Sequence, residues 1–125
     1  MEHFDLILKN GTVVTSSQER ADIGCRNGRI IAIGDLGRAE ATEVIDCTGL
    51  HVLPGVIDPH VHLREPGNPS VETIHDGTKG AILGGVTAVF DMPNTAESVV
   101  SKEVLDRKRA MIPGKSWCDI GLYVG

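Results

Sequence analysis

From residue 51 onward, three apolar segments alternate with two segments of helical periodicity, and this order restricts the fold more than any other feature of the chain. The apolar segments, which suit strands buried on both faces, cover residues 51–58, 86–91 and 118–124. The segments between them predict helices over residues 70–83 and 102–112. Strands and helices therefore follow one another as β-α-β-α-β, the order typical of a parallel α/β sheet.

Residues that start or stop helices predict where these two helices begin and end. Ser70 is the predicted N-cap of the first helix, with Glu72 in the first turn, where an acidic residue is favourable. Gly84-Gly85 would end that helix, and Pro113-Gly114 would end the second one.

Residues 1–50 have a different texture, with short β-like segments and turn signals at close intervals. Asn10-Gly11 and Asn27-Gly28 are predicted hairpin turns, because Asn and Gly both tolerate positive φ. Short strands joined in this way predict a small antiparallel β-sandwich. We therefore predict two domains: an N-terminal β-sandwich segment over residues 1–50 and an α/β part over residues 51–125.

Charge and hydropathy argue against several classes of function. The formal net charge is −5, and no basic stripe marks a nucleic-acid interface. No apolar run reaches the ~18 residues that a membrane span needs. The first residues carry acids and lack a cationic region, which predicts a cytoplasmic protein. Cys25, Cys47 and Cys118 lie far apart, so small buried residues are expected rather than disulfides or a thiolate zinc site.

Polar side chains suited to metal binding follow the first apolar segment. In Asp58-Pro59-His60-Val61-His62-Leu63-Arg64, the residues with even numbers are all polar. Alternate side chains of an extended chain share a face, so these four groups would point the same way. Polar groups buried without partners are costly, and a divalent metal would satisfy the imidazoles of His60 and His62 together. Two histidines nevertheless fall short of the three protein ligands usual in catalytic zinc sites.

Arg64 and Asn94 are the candidate substrate-binding residues. Arginine offers a planar fork that matches a carboxylate, although an ion pair with Glu65 or Glu72 is the alternative role. Asn94 follows the second predicted strand, and its amide can both donate and accept hydrogen bonds. The carboxyl ends of parallel strands meet at one edge of a sheet, so Asn94 is expected at the same end as the histidines.

Several motifs carry a resemblance that spans nearly the whole chain. They are Gly55–Gly67, Gly84–Thr87 and Met92–Thr95, preceded by Asn10-Gly11, Gly28-Arg29-Ile30, Ile45-Asp46 and Gly49-Leu50. Together they resemble the cyclic amidohydrolases, and most of all the dihydroorotases with a His-x-His-x-Arg-Glu-Pro-Gly motif. The resemblance implies the first three β-strands and two helices of a (β/α)8 TIM-type barrel, a fold of about 250 residues when complete.

The resemblance also implies roles for five residues. His60 and His62 would bind zinc, with one or two ions in the complete protein. Arg64 and Asn94 would hold a substrate carboxylate, and Asp58 would orient a ligand from behind.

The remaining groups of the family's site would come from later strands: a carboxylated lysine or an aspartate, two more histidines and a late aspartate base. No catalytic residue is therefore expected within this chain. The lysines on or beside the predicted helices, which are not expected to bridge metals, are Lys79, Lys102, Lys108 and Lys115.

The reaction implied is the reversible hydrolysis of dihydroorotate to N-carbamoyl-L-aspartate, a step of pyrimidine biosynthesis. Its substrate is a small cyclic amide that carries a carboxylate, and a homo-oligomer is compatible with the sequence. One alternative is an allantoinase- or hydantoinase-type amidohydrolase, which typically lacks an arginine at the position of Arg64. Another is a truncated, non-catalytic homologue. The isolated chain is expected to bind metal weakly and to lack useful turnover.

Overall fold

The computed structural model describes residues 3–125, which divide after Pro54 into two compact units. The first unit contains a mixed β-sheet, and the second contains a parallel sheet with two helices. Within residues 3–125, no helix is long and apolar enough to cross a membrane.

The first unit is one five-stranded sheet. Its strands are β1 (His3–Val14), β2 (Gln18–Arg26), β3 (Arg29–Gly34), β4 (Glu40–Asp46) and β5 (His51–Val52). The sheet order is β3-β2-β1-β4, and β5 also pairs with β1. Neighbours among β1, β2 and β3 are antiparallel, but β4 and β5 run parallel to β1. The antiparallel prediction is therefore wrong for β4 and β5.

The two predicted hairpin turns have different outcomes. Asn27 and Gly28 have φ values of 52° and 70° and join β2 to β3 as a two-residue turn, as predicted. Asn10, with φ of 62°, lies instead inside β1, where the pairing register with β2 shifts between Leu8 and Gly11. Its backbone N–H donates to Oδ1 of Asp22 at 2.8 Å. The Asn10 conformation thus forms a β-bulge rather than a turn, because long-range pairing continues on both sides of it.

The second unit has the predicted β-α-β-α-β order. Its elements are β6 (Val56–Val61), α1 (Ile74–Leu83), β7 (Val86–Asp91), α2 (Lys102–Ala110) and β8 (Asp119–Leu122). The strands pair in the order β6-β7-β8, and both pairs are parallel, as expected. The apolar run 51–58 is not one strand, since His51-Val52 pairs with β1 and only the residues after Gly55 enter β6.

Helix α1 starts later than predicted. Thr73, not Ser70, is the N-cap, and its side chain accepts a hydrogen bond of 3.0 Å from the backbone N–H of Asp76. The Ser70 hydroxyl donates instead to Oδ1 of Asn68 at 2.7 Å. Gly84 ends the helix as predicted, with its N–H directed at the carbonyl of Ala81.

The core of the second unit is small and combines aliphatic with charged side chains. Its buried aliphatic side chains are Leu63, Ile74, Val89 and Val99, and its buried charged side chains are Asp91 and Lys108. Helix α2 ends at Ala110, earlier than predicted, and Ser101 caps its N-terminus.

We expect Thr73→Ala to lower the free energy of unfolding by about 1 kcal/mol, because it removes the N-cap acceptor of α1. Ser70→Ala is the matched control, and it should change stability by less than about 0.5 kcal/mol. Urea unfolding followed by circular dichroism measures both. Equal effects of the two substitutions would contradict the observed helix start.

Candidate metal centre

The polar residues singled out in the sequence gather at the carboxyl edge of the parallel sheet. The backbone N–H of Met92 donates to the carbonyl of Val61 at 2.9 Å, which keeps the ends of β6 and β7 side by side. The segments that follow these two strands therefore leave the sheet at the same edge. His62 is carried by the first of them and Asn94 by the second.

His60 and His62 direct their rings toward a common point. Their Nε2 atoms lie 3.2 Å apart, and the ring centroids are separated by 5.1 Å at an interplanar angle of 60°. Leu63 is buried, Val61 and His62 are both half-buried, and His60 and Arg64 are exposed. The structure thus brings together the two imidazoles that the sequence proposed as metal ligands.

The spacing of the imidazole nitrogens fits a shared cation. Two nitrogens bound tetrahedrally to zinc at 2.0–2.1 Å would lie about 3.3 Å apart, close to the separation observed. No group of three or more His, Cys, Asp or Glu within residues 3–125 is arranged to hold a metal ion. The described residues therefore offer two potential zinc ligands, fewer than the three protein ligands usual in a catalytic zinc site.

Asn94 contacts a histidine ring directly. Oδ1 of Asn94 lies 2.9 Å from Nδ1 of His62. Because an amide oxygen only accepts hydrogen bonds, Nδ1 of His62 carries the hydrogen in this contact. A neutral ring in this tautomer presents the lone pair of Nε2, which is the atom that faces His60.

Asp58 and Arg64 occupy different surroundings. Oδ1 of Asp58 accepts a hydrogen bond of 3.0 Å from the backbone N–H of His60, so Asp58 contacts the backbone of that residue rather than its ring. Within residues 3–125, Arg64 forms no ion pair with Glu65 or Glu72, the alternative role considered for it. Arg64, His62 and Asn94 instead line a cleft of about 270 Å³ between the two segments.

A buried ion pair lies directly beneath the site, and sequence reasoning did not find it. Nζ of Lys108 lies 2.7 Å from Oδ2 of Asp91, and the two side chains are 3% and 1% exposed. Lys108 is four residues after Val104, so it lies on the apolar stripe of α2. A lysine on an apolar stripe was the signal that could have revealed the pair. Because lysine is rarely buried without a partner, its position predicts a buried acidic residue nearby.

Glu65 links three segments behind the histidines. Its carboxylate accepts a hydrogen bond from Lys115 and a second one, of 3.0 Å, from the backbone N–H of Ile74 at the start of α1. The hydrogen bond from Lys115, followed by that from Ile74, lowers the pKa of Glu65 below its usual value, and partial burial opposes this only in part.

The family model described as dihydro-orotase-like matches residues 49–125. Among curated proteins, the allantoinase of Salmonella gallinarum is 42% identical over 118 residues, covering 93% of this chain and 26% of its own length. The allantoinase of Desulfitobacterium hafniense is 40% identical over 127 residues, covering 100% of this chain and 28% of its own length. The chain thus spans about a quarter of the length of these relatives.

Solved structures give the same result for the fold. The L-hydantoinase (dihydropyrimidinase) of Arthrobacter aurescens superposes with a TM-score of 0.91 at 31% identity, covering 98% of this chain and 28% of that one. The D-hydantoinase (dihydropyrimidinase) of a Thermus species superposes with a TM-score of 0.78 at 32% identity, covering 95% and 27%. The chain therefore has the fold of the matching quarter of these structures. That quarter contains only part of the barrel.

The pH dependence of stability in Glu65→Gln tests whether the hydrogen bonds of the Glu65 carboxylate stabilise the fold. Because the folded state lowers the pKa of Glu65, its carboxylate stabilises the fold above the ordinary pKa of glutamate. That contribution is lost as the pH falls through the lowered pKa of the folded state. We expect the substitution to cost roughly 1–2 kcal/mol at neutral pH and to flatten the loss of stability in acid.

The exposed Glu103, which pairs with Arg107 on α2, provides the control. Glu103→Gln should cost less than about 0.5 kcal/mol. Urea unfolding at several acid and neutral pH values measures both variants. An acid dependence that is unchanged in Glu65→Gln would show that the carboxylate does not stabilise the fold.

Proposed function

The chain belongs to the dihydro-orotase-like family of cyclic amidohydrolases, and from this premise we propose that it forms part of a metal-dependent hydrolase that opens a cyclic ureide ring. The ring is of the hydantoin type, as in the substrates for which the related allantoinases and hydantoinases are named. Since the chain covers about a quarter of these relatives, the remaining parts of the site would come from elsewhere in a longer protein.

The observation that carries this proposal is the 3.2 Å separation of Nε2 of His60 from Nε2 of His62 at the carboxyl edge of the sheet. In barrels of this type, active sites lie at that edge. Imidazole nitrogens are common ligands of zinc. A zinc ion or similar divalent metal held there would activate water as a Lewis acid at neutral pH.

The residues of this chain orient the site. Asn94 accepts the hydrogen of His62 Nδ1 and so keeps the lone pair of Nε2 available. Asp58 holds the backbone of His60, and the buried side chain of Leu63 anchors the segment between the strand and the cleft. The chain thus contributes a preorganised pair of imidazoles and one wall of a cleft in which a small ring would bind.

The overall reaction is the hydrolysis of one ring amide bond. The carbonyl carbon gains the oxygen of water, the ring C–N bond breaks, and the released nitrogen takes a proton. In a hydantoin-type ring, this produces an open chain with a carboxylate and a urea group.

Dihydroorotate is the second candidate substrate, and Arg64 favours it. Arg64 lines the cleft with His62 and Asn94, and within residues 3–125 it forms no ion pair with Glu65 or Glu72. A planar donor fork of this kind matches the carboxylate of dihydroorotate, which an unsubstituted hydantoin ring lacks. Hydrolysis would then give N-carbamoyl-L-aspartate.

A substrate panel on the full-length, metal-loaded protein separates these candidates. We expect turnover of hydantoin or allantoin, and His60→Asn should lower it by more than the ~10–100-fold that follows loss of a mere partner of a ligand. His75→Asn is the control, because His75 lies on the exposed surface of α1. Bound metal without turnover of any ring would contradict both candidates and favour a non-catalytic homologue.

Turnover of dihydroorotate alone would favour the second candidate, and Arg64→Met then tests the role of the guanidinium. A lost hydrogen bond between charged groups, worth about 1.5–3 kcal/mol, predicts a fall in kcat/KM of roughly 10–100-fold. A value of kcat/KM for dihydroorotate that Arg64→Met leaves unchanged would exclude Arg64 from binding the carboxylate.

A further inference from the structure

We propose that the buried pair of Asp91 and Lys108 positions the metal site, by fixing the segment that carries His62 against the segment that carries Asn94. The inference rests on the proposed function, since it concerns the same histidine pair. Neither residue is proposed to touch metal or substrate, so both are positioning residues.

Asp91 connects all three strands of the parallel sheet. Oδ1 of its carboxylate accepts a hydrogen bond of 2.9 Å from the backbone N–H of Leu63, the residue that follows His62. Its backbone carbonyl accepts one of 3.1 Å from the N–H of Tyr123, just beyond β8. A side chain of β7 therefore holds the segment that follows β6, two residues after that strand ends.

Lys108 connects the same carboxylate to the second segment. Its ammonium group contacts Oδ2 of Asp91 at 2.7 Å and donates to the backbone carbonyl of Met92 at 3.2 Å. Met92 lies two residues before Asn94. One carboxylate and one ammonium group thus bind the backbone beside His62 and the backbone that leads to Asn94.

The burial of the pair indicates that it holds two backbone segments in place and does not mainly add stability. Taking both charges out of water is costly, and apolar side chains of similar volume often stabilise a fold as well or better. Apolar side chains could not, however, accept from the N–H of Leu63 or donate to the carbonyl of Met92. Within residues 3–125, no buried side-chain nitrogen or oxygen lacks a hydrogen-bond partner, and this includes the carboxylate of Asp91 and the ammonium group of Lys108.

The other ion pairs of α2 show the contrast. Nζ of Lys102 lies 2.5 Å from Oδ2 of Asp106, and Nη1 of Arg107 lies 2.6 Å from Oε1 of Glu103. Both ion pairs are exposed to solvent. Both pairs join residues within α2. Arg107 also contacts Glu97, in the segment that follows β7, but Lys102 reaches neither segment of the site. Lys102→Met therefore provides a matched control for Lys108→Met.

The test uses the full-length protein that contains this chain, with two readouts: the ring-nitrogen chemical shifts of labelled His62 and the affinity for zinc. We expect Lys108→Met to change the His62 Nδ1 signal toward that of Asn94→Ala, in which the hydrogen-bond acceptor is missing. The zinc affinity should fall by about tenfold or more, as when a partner that orients a metal ligand is lost. Lys102→Met should keep both values of the unmodified chain.

Two further variants separate positioning from stability. The double variant Asp91→Leu with Lys108→Met leaves no unpaired buried charge and should remain folded, yet show the same changes in the His62 signal and zinc affinity. If Lys108→Met does not fold, this double variant decides the question. Ile74→Val, a cavity-forming change in the core at α1, should lower stability without changing the His62 signal.

A folded double variant with the His62 signal of the unmodified chain would overturn the inference. Failure of the unmodified full-length protein to bind zinc would instead count against the proposed metal site. The His62 signal of the variants would still decide on the positioning role, so the two failures can be distinguished.

Discussion

The carboxylate of Asp91 is the constraint on which the second unit depends. It is nearly inaccessible to water, and it binds the backbone N–H of Leu63 while it pairs with Lys108. Parallel strands end at a common edge, but strand pairing alone does not determine the path of the chain beyond that edge. In this protein, the path after β6 is set by a side chain from β7, which is itself held by a lysine from α2.

The candidate metal centre combines a local and a tertiary component. His60 and His62 are two residues apart in an extended segment, so their shared direction follows from backbone geometry alone. The contact between His62 and Asn94 joins residues 32 positions apart and requires β6 and β7 to be adjacent. The first component would supply the two proposed ligand atoms, and the second favours the ring tautomer of His62 that leaves Nε2 free to bind a metal.

Membership of the cyclic amidohydrolases and the choice of ring substrate depend on different residues. The family likeness extends over residues 49–125, including the strands and the histidine pair. Under the proposed function, the choice of substrate would depend on side chains that line the cleft, of which Arg64 is one. For this reason, the relatives named for allantoin and hydantoin and the arginine suited to dihydroorotate lead to different candidate substrates.

The sequence alone determined the β-α-β-α-β order, the bounds of β7, the turn at Asn27-Gly28 and the alternation that pairs the two histidines, because each follows from local periodicity or backbone preference. It predicted wrongly that Asn10 forms a turn, that Ser70 caps α1 and that the first sheet is antiparallel throughout. Only the tertiary structure decided these, together with the burial of Lys108 against Asp91. A residue that tolerates positive φ or can cap a helix fits several local structures equally well, and contacts with distant segments select among them.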